Sequence, residues 1–142
     1  MTSSFTVTFT SASVVAGIII GHGSFASGLY SALRLIVGEV PDLEVLSSEG
    51  KGRQDIEQMV TEARAKFGPS PGMIFTDLQG GCSSTVCGSL LRSCDDVGII
   101  TGANLPMLIK FVEYRGKLAL PQLYELLLQA GRDGVREVKK PC

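Results

Sequence analysis

The single histidine of this 142-residue chain, His22, lies between two glycines at the end of an apolar run. The run VVAGIII (14–20) predicts a buried strand, GHG turns the chain, and an amphipathic helical stretch follows. In a parallel α/β sheet, ligands and reacting groups gather at the carboxyl ends of the strands. Because an imidazole can act as a nucleophile near neutral pH, His22 is the leading catalytic candidate, although a lone histidine is more often a surface or core residue.

Asp77 holds the corresponding place after another apolar run, GMIFT (72–76). A carboxylate that accepts a hydrogen bond from one imidazole nitrogen fixes the tautomer and leaves the other nitrogen free as the nucleophile. Because parallel strands end at one edge of their sheet, Asp77 is predicted to be the second catalytic residue. From the pattern alone, Asp77 could equally cap a helix or begin a turn.

Three glycine-containing loops, GHGSFASG, DLQGGCSS and GANLPM, each follow a predicted strand and open a helix. Helix N-termini present unpaired N–H groups and a partial positive charge, which suit a bound phosphoryl group. The sequence therefore predicts a phosphohistidine site that needs no metal or other cofactor. Its phosphoryl oxygens are expected to contact residues of the first two loops: Gly23, Ser24, Gly81, Cys82 and Ser83.

The rim of these loops supplies candidate contacts for a partner protein. Phe25 and Met107 are predicted to lie there, although both could equally point inward. Asn104 belongs to a loop that should border the site, and we include it in the predicted partner surface. The stretch Asn104-Leu105-Pro106-Met107 is itself more typical of helix entry and packing than of catalysis.

The elements that position these residues alternate along the chain. Apolar runs predict strands at 14–20, 43–46, 72–76 and 97–101, and a helical spacing follows each of them. The third helix is expected to begin near Ser83 or Ser84, the fourth has Pro106 near its start, and Pro121 opens a further helix. The order βαβαβαβα predicts a three-layer α/β domain with a mainly parallel central sheet and its active site at the carboxyl ends of the strands.

Composition supports one domain over residues 14–142, preceded by a Ser- and Thr-rich stretch (1–13) that is expected to be a flexible extension. Net charge is −1 and tryptophan is absent, which disfavours nucleic-acid binding.

The four cysteines form no CxxC pair, so reduced thiols in a cytoplasmic protein are expected. The longest apolar run is too short to span a bilayer.

Four stretches together resemble the IIA domain of the mannose/fructose/sorbose family of the bacterial phosphoenolpyruvate-dependent sugar phosphotransferase system. They are IIIGHGSFASGLYSALRLIVGE (18–39), MIFTDLQGGCSS (73–84), VGIITGANLPML (97–108) and GRDGVREV (131–138). The resemblance implies that His22 accepts a phosphoryl group from the carrier protein HPr, while Asp77 orients the histidine. It implies onward transfer to a IIB partner and then to sugar taken up through a membrane IIC/IID permease. It also implies a homodimer in which a C-terminal strand is exchanged to the partner's sheet.

Three positions, in two loops, depart from the usual family pattern. The family commonly has GGSP or GGTP after the aspartate, whereas this chain has Gly80-Gly81-Cys82-Ser83, and Ser83 could supply the hydroxyl one residue later. Gly21 stands where a Thr or Ser is common. Three different functions remain compatible with the sequence: the phosphotransfer subunit of dihydroxyacetone kinase, a regulatory module of the same fold, and a flavodoxin-like binder. The last lacks a GxGxxG or P-loop motif.

Overall fold

A computed structural model describes residues 14–90 and 94–140, so the predicted extension at 1–13 lies outside the described residues. Strands and helices alternate until two helices close the chain. The elements are β1 Ala16–Gly21, α1 Phe25–Val37, β2 Leu43–Ser47, α2 Arg53–Ala65, β3 Gly72–Thr76, α3 Cys82–Leu90, β4 Val97–Ile100, α4 Leu105–Tyr114 and α5 Leu120–Asp133.

The four strands form one parallel sheet in the order β2-β1-β3-β4. Every residue of β1 is buried, because β1 lies between two strands and both faces of the sheet are covered by helices. Ile19 packs in a cluster with residues of α1, α4 and α5, whereas Ile18 and Ile20 pack with residues of α2 and α3. This alternation confirms the predicted three-layer α/β class, and the sheet is parallel throughout.

Most element boundaries agree with the sequence to within one or two residues, and β3 has the predicted bounds. The start of α3 is a correction, because the helix begins at Cys82 instead of near Ser83 or Ser84. Gly80 has a φ of 88° and turns the chain, and the carbonyl of Gly81 already accepts from the N–H of Thr85 at 3.1 Å. The tight turn therefore starts the helix earlier and leaves Ser83 inside its first turn.

Arg115 ties the amino ends of the first two strands together. Its buried guanidinium donates to the carbonyls of Val15 at 2.9 Å, Pro41 at 2.9 Å and Asp42 at 3.3 Å, and it lies 5.0 Å from the centre of the Phe111 ring. These three carbonyl acceptors compensate the guanidinium for the water that it loses on burial. This clamp fixes where β1 begins and where the chain turns into β2.

None of the helices in the described ranges is long and apolar enough to cross a membrane.

Candidate active site

His22 and Asp77 meet where β1 and β3 end. The strands pair with Ile20 beside Thr76, so the residues that follow leave the sheet at neighbouring points of one edge. The backbone N–H of His22 donates to Asp77 Oδ2 at 2.8 Å, and His22 Nδ1 lies 2.7 Å from the same oxygen. The structure therefore brings together the two residues that were predicted to be catalytic.

The Asp77 carboxylate is held on both oxygens. Oδ1 accepts from the N–H of Leu78 at 2.9 Å, while Oδ2 faces His22. Burial raises the pKa of the Asp77 carboxyl, but hydrogen bonds from the backbone and ring of His22, the charge interaction with that ring, and the Leu78 N–H outweigh it, so the pKa is lowered overall. Asp77 is thus an ionised acceptor, and a neutral His22 must carry its proton on Nδ1.

The free edge of the imidazole faces the start of α3. A Cβ built on Gly81 would lie 3.2 Å from His22 Cε1 and 3.9 Å from Nε2, so a side chain there would require the ring to shift by a few tenths of an ångström. The His22 side chain is 60% exposed, whereas Asp77 is 13% exposed. Nε2 therefore carries a lone pair on an accessible ring, next to a helix N-terminus that favours anions.

Gly23 and Ser24 lie at the N-terminus of α1, directly after His22. Gly23 has a φ of 52°, and its carbonyl accepts from Ser47 Oγ at 2.8 Å. Ser24 occupies the N-cap position and is exposed, and its carbonyl accepts from the N–H of Gly28 at 2.8 Å. A second helix N-terminus thus borders the imidazole.

The structure corrects the predicted role of the Ser83 hydroxyl in binding phosphate. The Ser83 side chain is only 1% exposed, and its Oγ has no hydrogen-bond partner within the described ranges. The hydroxyl is turned inward because Ser83 lies inside the first turn of α3, so only its backbone remains a candidate contact. The side chain of Cys82 lies outside the described part of the structure.

Two of the three predicted partner contacts are also revised. Met107 is 3% exposed and belongs to the core, so it offers no surface to a partner. Asn104 caps α4 by accepting from the N–H of Met107 at 3.1 Å, and its Nδ2 donates to the Gly131 carbonyl at 2.9 Å. Its role is helix entry and attachment to α5. Phe25 is half-buried and packs against the core.

Sequence reasoning missed the loop after β2. Ser48 donates to the Gly21 carbonyl through its N–H at 2.9 Å and its Oγ at 3.1 Å, and a Cβ on Gly23 would lie 3.6 Å from Glu49 Oε1. This loop braces the turn that carries His22 and places a carboxylate beside it. No local motif marks these residues, and only the adjacency of β1 and β2 brings them there.

In the parts of the chain that the structure describes, no three His, Cys, Asp or Glu side chains are grouped as metal ligands.

The lowered pKa of Asp77 makes the stability of the fold depend on pH. Because the unfolded carboxyl binds its proton more tightly, this stabilisation is fully present above the ordinary pKa of 3.8 and is lost as the pH falls through the lower folded value. Asp77→Asn should cost about 1–2 kcal/mol of unfolding free energy at neutral pH, and the difference from wild type should shrink below the ordinary pKa. Urea unfolding of both proteins, from neutral pH to below the ordinary pKa, measures this difference in unfolding free energy.

The matched control is Asp133→Asn, which removes an exposed carboxyl from α5 and should leave the pH dependence of wild type unchanged. An Asp77→Asn difference that is equally large at every pH would contradict the ionised, hydrogen-bonded state assigned to Asp77.

Comparison with known proteins identifies the family to which this geometry belongs. The family model described as "PTS system fructose IIA component" matches residues 16–128. The sorbose-specific EIIA component of Lacticaseibacillus casei is 25% identical over 113 residues, spanning 79% of this chain and 82% of that protein. The fructose-specific EIIA component of Bacillus subtilis (strain 168) is 28% identical over 112 residues, spanning 78% and 77% respectively.

A solved structure agrees at the level of the fold. The mannose/sorbose specific IIA subunit of the phosphotransferase system from Enterococcus faecalis superposes with a TM-score of 0.79, covering 89% of this chain and 96% of that one at 22% identity. The family model spans both strands that carry the site, together with His22 and Asp77. The chain therefore belongs to the fructose IIA component family of the sugar phosphotransferase system.

Proposed function

We propose that this chain is a histidine phosphoryl carrier that accepts a phosphoryl group from phospho-HPr on Nε2 of His22 and passes it to a IIB partner. The observation that carries the proposal is the 2.7 Å contact between Asp77 Oδ2 and His22 Nδ1 on a ring that is otherwise exposed. It leaves one nitrogen nucleophilic and accessible. Membership of the family supports the class of reaction, and the geometry supports Nε2 as the acceptor atom.

The transfer step needs little besides positioning. The Nε2 lone pair attacks the phosphorus in line, the P–N bond of the donor breaks, and the donor imidazole leaves with that electron pair. The proton on Nδ1 stays in its hydrogen bond, so Asp77 stabilises the positive charge that develops on the ring. Onward transfer to the IIB partner runs the same step with His22 as the leaving group.

The phosphoryl group on Nε2 would lie between two helix N-termini. Gly81 precedes α3 and lies beside the ring, and Gly23 and Ser24 precede α1 directly after His22. Their N–H groups and the helix dipoles favour the anionic oxygens. An exposed imidazole suits a carrier that must meet two different proteins in turn, because neither partner has to open the site.

The remaining partners follow from this role. HPr and IIB would bind in the cytoplasm at the same edge of the sheet, and the IIC/IID permease would receive the phosphoryl group only indirectly. The sorbose- and fructose-specific names of the relatives favour sugar uptake over dihydroxyacetone phosphorylation and over a purely regulatory role.

Intact-mass analysis tests the carrier directly. Incubation with phosphoenolpyruvate, enzyme I and HPr should add one acid-labile phosphoryl group to the wild-type chain and none to His22→Ala. Because the chain has one histidine, a single variant removes every histidine acceptor. No mass gain with active cognate partners, or a gain that persists in His22→Ala, would overturn the assignment.

Gly81→Ala tests the space beside Nε2. The added methyl would press on Cε1 at 3.2 Å and displace the ring, so phosphorylation should slow about tenfold. Gly88→Ala is the matched control, because a Cβ there meets nothing within 4 Å and the substitution should only strengthen α3, by about 0.5–1 kcal/mol. Equal rates in the two variants, measured by quenched-flow phosphorylation, would contradict the proposed position of the phosphoryl group.

We also propose that the chain is a homodimer joined through exchanged C-terminal segments. β4 pairs only with β3 among the described strands, so its other edge offers unpaired backbone groups. Residues 135–140 follow α5 without helix or strand, and Val135 and Val138 are 81% and 94% exposed. A cleft of about 510 Å³ beside β4, lined in part by Ile99 and Tyr124, could receive such a segment.

Light scattering after gel filtration distinguishes a dimer from a monomer by mass. The wild-type chain should have twice its mass of 15.0 kDa, and Val135→Lys combined with Val138→Lys should shift it towards the monomer. Leu35→Lys on α1 is the matched control, since it also replaces an exposed apolar side chain and should leave the mass unchanged. A monomeric wild type, or a dimer that survives the double substitution, would contradict the exchange.

A further inference from the structure

Phe25 and Asp77 converge on the bare α-carbon of Gly21. A Cβ built on Gly21 would lie 2.6 Å from Phe25 Cδ2 and 2.9 Å from Asp77 Oδ2, closer than real side chains tolerate. The ring edge and the carboxylate oxygen that contacts His22 therefore occupy the space that a side chain at position 21 would take. In this chain, glycine at position 21 leaves free the space that the ring edge and the carboxylate oxygen occupy.

The surroundings of Asp77 need an explanation, because its neighbour is open to water. His22 is 60% exposed, but the Asp77 side chain is only 13% exposed. Phe25 is the first residue of α1 and packs against its core cluster, and its ring edge shares with Asp77 Oδ2 the space around the position that a Gly21 Cβ would take. The positive edge of an aromatic ring is a favourable neighbour for an anion, and a covered hydrogen bond is stronger because water does not compete for it.

We propose that Phe25 is a positioning residue for the phosphoryl transfer proposed above: its ring covers Gly21, excludes water from Asp77 Oδ2, and so holds the His22 ring with Nε2 outward. This inference rests on the proposed function. It gives Phe25 a role different from the partner contact expected from the sequence. It also gives Gly21 a function in this chain, because a Cβ there would meet both the Phe25 ring edge and the Asp77 carboxylate.

The competing explanation is that Phe25 only fills the core. Leu29, one turn further along α1, packs against the same cluster, whereas the three atoms nearest to a Gly21 Cβ belong to Phe25 and Asp77. Phe25→Ala and Leu29→Ala therefore remove comparable apolar packing from the same helix, and only the first removes cover from the Asp77–His22 contact. Phe25→Leu keeps apolar cover without the aromatic ring.

The first measurement is the ¹⁵N spectrum of the imidazole, which is unambiguous in a chain with one histidine. In wild type and Leu29→Ala, neutral His22 should carry its proton on Nδ1. In Phe25→Ala the two tautomers should mix, and Phe25→Leu should resemble wild type. Gly21→Ala should also mix the tautomers, because its methyl displaces the ring, the carboxylate or both. Wild-type ring signals in Phe25→Ala or Gly21→Ala, or mixed tautomers in Leu29→Ala, would overturn the proposal.

The second measurement is the rate of phosphorylation by phospho-HPr at saturating donor. Phe25→Ala should slow it about fivefold, the order expected for weakening one charge-assisted hydrogen bond, while Leu29→Ala and Phe25→Leu stay within about twofold of wild type. An equal loss in Phe25→Ala and Leu29→Ala would assign Phe25 to the core alone. The ring spectrum needs no phosphoryl donor, so a wild type that accepts no phosphoryl group would refute the carrier function and leave the test of Phe25 intact.

Discussion

The parallel pairing of β1 with β3 is the constraint on which the site depends. Its register sets Ile20 beside Thr76, so the chain leaves the two strands side by side and His22 and Asp77 emerge within hydrogen-bonding distance. One of their two hydrogen bonds comes from the backbone of His22. The orientation of the carboxylate is therefore set by the sheet itself, with the side chain of His22 added to an arrangement that the main chain has already fixed.

The site is asymmetric in its exposure to water, and the proposed transfer depends on that asymmetry. The acceptor carboxylate is covered, which preserves its hydrogen bonds, whereas the imidazole is open to solvent, as a carrier of a protein-bound phosphoryl group requires. Bracing comes from a third loop, because Ser47 and Ser48 at the end of β2 donate to the carbonyls of Gly23 and Gly21. At the opposite end of the sheet, Arg115 fixes where β1 starts. Both ends of the strand that carries the histidine are thus restrained by side chains from distant parts of the chain.

The sequence was informative wherever a local pattern has one structural solution. Apolar runs bounded by glycine predicted the strands, and the rule that parallel strands end at one edge was enough to bring His22 and Asp77 together. It was less informative about side-chain direction. Successive residues of a helix point about 100° apart, so an error of one residue in the predicted start changes the expected direction of every side chain. Because α3 begins at Cys82, the Ser83 hydroxyl points into the interior. The direction of Met107 was left open by the sequence; Met107 is the third residue of α4 and lies on the face of that helix that packs into the core. Contacts such as those of Ser48 depend on strand order, which no local spacing encodes.

Because the N–H of residue 22 donates to Asp77 from the backbone, the position of the carboxylate does not depend on the imidazole side chain. Any residue other than proline at that position has an N–H to donate, so the carboxylate keeps an anchor even when the imidazole is gone. The loop, the helix N-termini and the exposed face around them would then persist without the nucleophile. If the chain is the carrier proposed above, one substitution at His22 would abolish phosphoryl transfer and keep the folded surface around it, which is a short evolutionary route from a carrier to a regulator.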